Sequence, residues 1–136
     1  MLTQTSVPSR IIMVRLNPHE DVIGALEAAV AAEGITNAAI LSGAGSLSAY
    51  NVHVVETTNL PPGDVFFEGD GAYDILTLTG IIMNGRVHAH ITFSNTEKAM
   101  GGHLEPGCTV LTFAICCIAE IPDADVTDWD RMSVPE

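Results

Sequence analysis

The 136-residue chain has few positively charged residues. It contains five Lys and Arg against 17 Asp and Glu, so its formal net charge at pH 7 is −12. The five cations are dispersed, with no two adjacent: Arg10, Arg15, Arg86, Lys98 and Arg131. A protein that binds nucleic acid tightly normally gathers cations to replace the phosphate counterions. The charge therefore argues against direct DNA binding by this chain alone.

Long apolar runs and paired cysteines are also lacking. No stretch of about 20 apolar residues is present, so we expect no membrane partner. The first ten residues, MLTQTSVPSR, have neither a basic start nor an apolar signal core, and we expect a cytoplasmic protein. The three cysteines, Cys108, Cys116 and Cys117, are odd in number and form no CxxC motif. We interpret them as small apolar side chains in a reducing compartment.

What the chain does have is apolar residues, at 47% of the sequence, against 16% charged residues. This composition excludes intrinsic disorder, and the length is typical of a single domain. We place an N-terminal extension at residues 1–9, one domain at 10–121 and an acidic C-terminal tail at 122–136. So few charges also predict that other subunits cover part of the apolar surface.

One main helix is predicted near the N-terminus. Asn17 is a suitable N-cap, Pro18 fits the first helical position and Gly34 is a natural stop. Between them, apolar residues recur at helical spacing: Val22, Ile23, Leu26 and Val30. Because β-rich runs flank the helix at residues 10–16 and 36–42, we predict a β-α-β unit with a right-handed crossover.

The remaining sequence predicts strands and turns. Gly43-Ala44-Gly45 resembles part of a phosphate loop, but a strand rather than a helix follows, so we interpret it as a tight turn. Asn84-Gly85 predicts a two-residue hairpin. The predicted strands are 47–56, 65–68, 73–83, 86–94, 98–104 and 109–121. The fold class is therefore α+β, with a mixed, mostly antiparallel sheet. One helix cannot cover both faces of such a sheet, so we expect self-association.

Three of the five histidines are placed to converge. His88 and His90 point to the same face of a strand, about 7 Å apart along the chain. A two-residue or four-residue turn around Asn95-Thr96 places His103 directly opposite His88, on that same face. A three-residue loop or a bulge would instead turn His103 to the other face.

Three converging imidazoles match the ligand set of an open zinc site. We therefore predict that His88, His90 and His103 bind zinc and leave a fourth position for water, a substrate or another ligand. The alternative is that these histidines only form hydrogen bonds. Gly101-Gly102 would allow a backbone or a ligand to approach closely.

Other candidates are weaker. His19, in the first turn of the helix, and His53, on a separate strand, are predicted to be solvated or packed. Asp74 and Glu105 are the acids nearest the histidines in sequence. We predict that they solvate a strand or form a turn, with a histidine partner or a general base as the alternative. Trp129 is predicted to anchor the tail on its own or a neighbouring subunit.

The order of these motifs resembles the plants-and-prokaryotes-conserved (PPC) domain, also known as domain of unknown function 296. The resemblance covers residues 10–121. It is carried by RLNPHEDVIGALEAAVAAEGI, AAILSGAGSLSAYNV, YDILTLTGIIMNGRVHAHITFS and GGHLEPGCTV. Its most specific parts are the His-x-His strand at Val87–His90, the Gly-Gly-His-Leu at Gly101–Leu104, and Asp74–Leu76.

The resemblance implies an α+β domain that assembles as a homotrimer and holds a metal at the matched histidines. Plant members carry AT-hook segments that contact DNA, which is why relatives are often named as DNA-binding proteins. This chain has no AT-hook, and Ala72 stands where plant members have Arg. Both differences argue against DNA contact.

Three functions remain open from the sequence. The first is a trimeric metal-site protein, either an enzyme or a sensor of a small ligand. The second is a DNA-associated regulatory protein, as the family resemblance suggests. The third is an assembly module with a structural metal or none. The sequence names no substrate and leaves open whether the protein is an enzyme.

Overall fold

The computed structural model describes residues 1–133. Within them lie seven elements: β1 (Ile11–Leu16), α1 (Val22–Glu33), β2 (Ala38–Val55), β3 (Asp64–Met83), β4 (Arg86–Ser94), β5 (Ala99–Leu104) and β6 (Thr109–Glu120). The predicted α+β class with one main helix is confirmed. No helix in this part of the chain is long and apolar enough to cross a membrane.

Helix α1 begins later than predicted. Its N-cap is Asp21, whose side chain accepts a hydrogen bond from the backbone N–H of Gly24 at 3.0 Å. The predicted N-cap, Asn17, is therefore wrong. The backbone turns first at His19, which has a φ of 75°, and Glu20 accepts a hydrogen bond from the N–H of Asn17. The predicted stop is confirmed, since Gly34 is the left-handed C-cap.

Two long strands replace several predicted short ones. Residues 43–45 do not turn but continue β2, and residues 69–72 continue β3. The reason lies in the pairing on both sides, because Gly45 lies opposite Ile75 of β3 and Ala114 of β6. Irregularities in the ladder, such as the one between Gly45 and Leu47, absorb the local distortion. Backbone pairing thus overrides the turn propensity of glycine.

The strand order is β1-β6-β2-β3-β4-β5, and β5 also pairs with the end of β2. Strands β2 to β5 therefore form a closed cycle. The sheet is not mixed as predicted: each strand pairing in residues 1–133 is antiparallel. The strands of the β-α-β unit run parallel to each other, but β6 lies between them.

The core lies between α1 and the sheet. The buried face of the helix carries the four predicted apolar residues, and the largest fully buried side chain of the sheet is Phe93. Apolar side chains also remain exposed on alternate positions of β6: Leu111, Phe113 and Ile115. This exposed apolar row agrees with the expectation that one helix leaves part of the sheet uncovered.

Candidate metal centre

The β4–β5 hairpin brings His103 opposite His90. The prediction that His103 lies opposite His88 is wrong by two residues, because the connection consists of residues 95–98 and Ser94 pairs with Ala99. A shift of two residues keeps every side chain on the same face of its strand. The three predicted rings therefore still come together. The centroid of the His103 ring lies 4.6 Å from that of His88 and 5.8 Å from that of His90.

A fourth ring, that of His53, joins the cluster. The end of β2 pairs with β5 so that His53 lies opposite His103, and the two rings stack with centroids 4.4 Å apart. His90, His103 and His53 thus form a row across β4, β5 and β2. The prediction that His53 is only solvated or packed on a separate strand therefore does not describe its place beside His103. No local signal indicates that β2 and β5 pair.

The Gly-Gly step allows the three strands of this row to lie close together. A Cβ at Gly101 would lie 2.4 Å from the backbone oxygen of Ile91, and a Cβ at Gly102 would lie 2.6 Å from that of His53. Both distances are too short for a contact between a Cβ and a backbone oxygen, so only glycine fits at these two positions. The close backbone approach expected at these glycines is therefore present, and it fixes His103 between its two neighbours.

Two carboxylates face the imidazoles. The Oε1 of Glu105 lies 2.7 Å from the Nδ1 of His53 and 3.3 Å from the Nδ1 of His103. The Oδ2 of Asp130 lies 2.9 Å from the Nδ1 of His88. A carboxylate at Nδ1 orients an imidazole and leaves its Nε2 directed toward a metal. Both acids therefore suit histidines that act as ligands.

The surroundings of His90 and His103 favour the neutral form of these two imidazoles. The side chains of His53, His88 and His103 are 18%, 31% and 22% exposed. Loss of hydration lowers the pKa of His103 from its usual 6.5, and the nearby His88 and His53 lower it further. The same causes lower the pKa of His90. Because metal ions compete with protons for these nitrogens, a lowered pKa favours metal binding near neutral pH.

The donor set fits a zinc ion. The Nδ1 of His103 is buried and makes no hydrogen bond. Zinc prefers imidazole nitrogens and carboxylate oxygens, which are the groups present. In residues 1–133, His53, His103 and Glu105 form a group whose candidate ligand atoms all lie within 4.8 Å of one another. Among the described residues, this is the group whose ligand atoms lie that close together; the predicted trio of His88, His90 and His103 shares only His103 with it, although the trio's rings also lie near one another.

The other sequence candidates lie apart from the cluster. Asp74 is exposed and lies opposite Ser94 of β4, away from the histidines. His19 is exposed in the turn before α1. Trp129 packs on its own chain, against Met83 and Val126.

Asp130 was not predicted to be a site residue, because it lies 42 residues after His88 in the sequence. It falls in a segment that we interpreted only as an acidic tail. Its contact with His88 comes from tertiary packing, and no spacing in the sequence indicates it.

A cavity of about 430 Å³ opens beside His88 and His90. Its walls are mostly apolar, with Ile81, Trp129 and Val126 among them. A volume of this size suits a small molecule. The histidine cluster thus borders a concave apolar surface.

The sequence profile of the Plants and Prokaryotes Conserved (PCC) domain matches residues 3–122. The chain belongs to this family. The resemblance to the PPC domain drawn from the sequence motifs is thereby confirmed. The match ends at residue 122, so Trp129 and Asp130 lie outside the matched residues.

Solved structures share the fold of this PCC domain. A metal-containing protein from Archaeoglobus fulgidus superposes with a TM-score of 0.81 at 19% identity, covering 92% of this chain and 89% of that one. A PPC protein from Pyrococcus horikoshii gives 0.81 at 22% identity, covering 98% and 92%. A Bacteroides thetaiotaomicron protein, provisionally described as DNA-binding, gives 0.69 at 22% identity, covering 90% and 85%.

A curated relative contains a similar segment within a much longer protein. The bifunctional protein GlmU of a Synechococcus strain is 30% identical over 115 residues, which cover 84% of this chain. Those residues span only 17% of the length of that protein. The similarity therefore concerns one segment of the longer relative.

Proposed function

We propose that this PCC-domain chain is a zinc-binding protein that binds a small ligand at the metal. In this proposal His88, His90 and His103 hold the ion, and a fourth position stays open to water or a ligand. The observation that carries it is the convergence of four imidazoles, with the carboxylate of Asp130 at the Nδ1 of His88 and a buried Nδ1 of His103 that makes no hydrogen bond. The A. fulgidus neighbour described as metal-containing gives independent support.

The chain's own residues prepare this site in three ways. The β4–β5 ladder fixes the backbone positions of His90 and His103. Asp130 contacts the Nδ1 of His88, which leaves the Nε2 of that ring for the ion, and Glu105 orients His53 beside the trio. The apolar cavity limits water beside it. A bound zinc ion would act as a Lewis acid and lower the pKa of a bound water.

Zinc titration of single variants tests the ligand set. Protein without a His tag is titrated with zinc against a chromophoric chelator, and metal content is measured by elemental analysis. We expect His103→Ala and His88→Ala to abolish stoichiometric binding, whereas His53→Ala and the exposed control His19→Asn retain it. Loss in His53→Ala with retention in His88→Ala would instead assign the ion to His53, His103 and Glu105. Unchanged zinc binding in His103→Ala would refute both sets.

We also propose that the chain assembles as a homotrimer. The exposed apolar row on β6 supports self-association, because an apolar patch of this kind costs free energy in water. Sedimentation equilibrium should give a mass three times that of the 14.4 kDa chain. Phe113→Glu should shift the mass toward one chain. A wild-type mass of one chain at micromolar concentration would contradict the proposal.

A DNA-associated role is the second candidate. It is favoured by the description of the B. thetaiotaomicron neighbour and opposed by the net charge of −12. A gel-shift series over ionic strength decides it, because contacts to phosphates weaken steeply with salt. We expect no shifted band at physiological salt. A band that disappears as salt is raised would support the DNA-associated role.

A further inference from the structure

The C-terminal segment 123–133 builds one wall of the cavity beside the histidines. Val126 and Trp129 pack against Met83, at the end of β3. The same two tail residues line the cavity together with Ile81 of β3. This segment lies outside the residues that the family profile matches, although the superposition with the P. horikoshii structure covers 98% of this chain.

The cavity has two chemically different ends. His88 and His90 form the polar end, where the proposed zinc ion would lie. The other end is apolar, with Trp129, Met83 and Val126 among its lining. A ligand that fills both ends must combine a group that binds zinc with a hydrocarbon part.

Asp130 joins the tail wall to the histidines without adding a free negative charge. Its two oxygens accept hydrogen bonds from the guanidinium of Arg86 at 2.7 and 2.8 Å, and one also contacts His88. The Asp130 side chain is only 15% exposed. The pair of Arg86 and Asp130 is therefore close to neutral as a unit and does not repel an anion.

We propose that the tail wall selects a small monocarboxylate with an apolar chain as the ligand of this site. The inference rests on the zinc site proposed above. Imidazole ligands carry no negative charge and Glu105 would offset only part of the charge of a bound ion, so the ion would attract an anionic oxygen and repel an ammonium group. The hydrocarbon part then lies against Trp129 and leaves water. The volume of about 430 Å³ lies at the small end of the range for ligand pockets.

Trp129 provides the reporter for the test. It is the single tryptophan of the sequence, so the emission of the whole chain comes from the cavity wall. The zinc-loaded full chain is titrated with hexanoate, acetate, 1-hexanol and hexylamine. We expect a saturable change of emission with hexanoate. Acetate lacks the apolar chain and hexanol lacks the charge, so each should bind at least about tenfold more weakly. Hexylamine should not bind.

A pair of charge variants locates the hexanoate site. Ile81→Asp places a negative charge in the cavity at a side chain that is already 40% exposed, so the fold tolerates it. It should weaken hexanoate binding at least about tenfold. Because Ile81 lies opposite His88 in the β3–β4 pairing, hexanoate binding is compared at full zinc loading, which elemental analysis verifies. Met132→Asp is the matched control in the tail, at a 72% exposed residue away from the cavity lining. It should bind hexanoate as the wild type does.

A second pair tests Asp130 as a positioning residue. Asp130→Asn removes the charge that orients His88 and should weaken zinc binding by about 10-fold to 100-fold. Asp123→Asn is the control with the same chemical change at an exposed tail residue. Unaltered Trp129 emission in the zinc-free variants shows that the wall itself is intact. Equal zinc affinity in both variants would refute the positioning role.

The outcomes separate this inference from the proposed function. If the wild type does not bind zinc, both are overturned. If it binds zinc but hexanoate leaves Trp129 emission unchanged, or binds no better than acetate or hexanol, the tail wall does not select a carboxylate and the zinc site stands. If Ile81→Asp binds hexanoate as tightly as Met132→Asp does, the ligand lies elsewhere and the inference is refuted.

Discussion

The β4–β5 hairpin and the C-terminal segment 123–133 contribute to the same site by different means. The hairpin positions His90 and His103 through a backbone ladder that leaves little freedom. The tail segment forms no strand and is held by a small apolar cluster around Trp129 and by the contacts of Asp130. The comparison teaches that the proposed ligands depend on strand pairing, whereas the cavity wall depends on side-chain packing and reaches a proposed ligand through Asp130.

The largest effect on the free energy of unfolding is expected for a substitution in the pairing of β5 with β2. In Gly102→Ala the new Cβ would lie 2.6 Å from the backbone oxygen of His53, so β5 and β2 must separate. We expect a loss of about 2–3 kcal/mol in the free energy of unfolding, measured by urea denaturation, together with weakened zinc binding. Gly24→Ala makes the same substitution in α1, where alanine favours the helix. A loss in Gly102→Ala no larger than that in Gly24→Ala would contradict the close approach of β5 and β2.

A smaller effect on the free energy of unfolding is expected for a substitution in the packing of the C-terminal segment 123–133. Trp129→Ala removes a half-buried side chain from the cluster with Met83 and Val126. We expect the free energy of unfolding to fall by about 1–2 kcal/mol, because the lost burial is only partial. Zinc stoichiometry should be retained, in contrast to Gly102→Ala. Met132→Ala, at a residue that is 72% exposed, serves as the control and should be neutral within about 0.5 kcal/mol. Stability equal to the control would show that the cluster does not hold the tail.

The smallest expected effect on the free energy of unfolding comes from protonation of the histidine cluster in the zinc-free protein. The pKa of His103 is lowered by burial and by His88 and His53, so below pH 6.5 the unfolded chain binds protons that the folded chain does not. Stability from this group is present above pH 6.5 and is lost as pH falls through the lowered value. Urea denaturation between pH 7.5 and 5.5 should show this loss in the wild type and less of it in His103→Gln. His19→Asn should behave as the wild type does; equal slopes in all three proteins would contradict the shift.

The sequence allowed the elements with strong local signals to be predicted. Asn84-Gly85 forms the expected two-residue hairpin, with Met83 opposite Arg86 and positive φ at both turn residues. The helix and its stop at Gly34 follow from apolar spacing and from the left-handed conformation that glycine accepts. The shared face of the three histidines followed from strand periodicity. It is correct although the predicted pairing of β4 with β5 was wrong by two residues, because such a shift keeps each side chain on the same face.

The rest depended on pairing between distant segments. The continuous course of β2 through residues 43–45 is imposed by β3 and β6 on either side, against the local turn propensity. His53 enters the cluster only because β2 returns to β5, and Asp130 only because the tail folds back over β4. Such contacts leave no spacing in the sequence, so local patterns could not indicate them.

The second pairing of β5 has a consequence for how the molecule avoids aggregation. A strand at the end of a sheet exposes unpaired backbone groups that can template the addition of another chain. Because Val52 and His53 of β2 pair with His103 and Leu104, β5 is covered at its histidine end. In residues 1–133, β1 ends the strand order with one side unpaired. Strand addition is therefore directed to the opposite end of the sheet, and the imidazole cluster is protected from it.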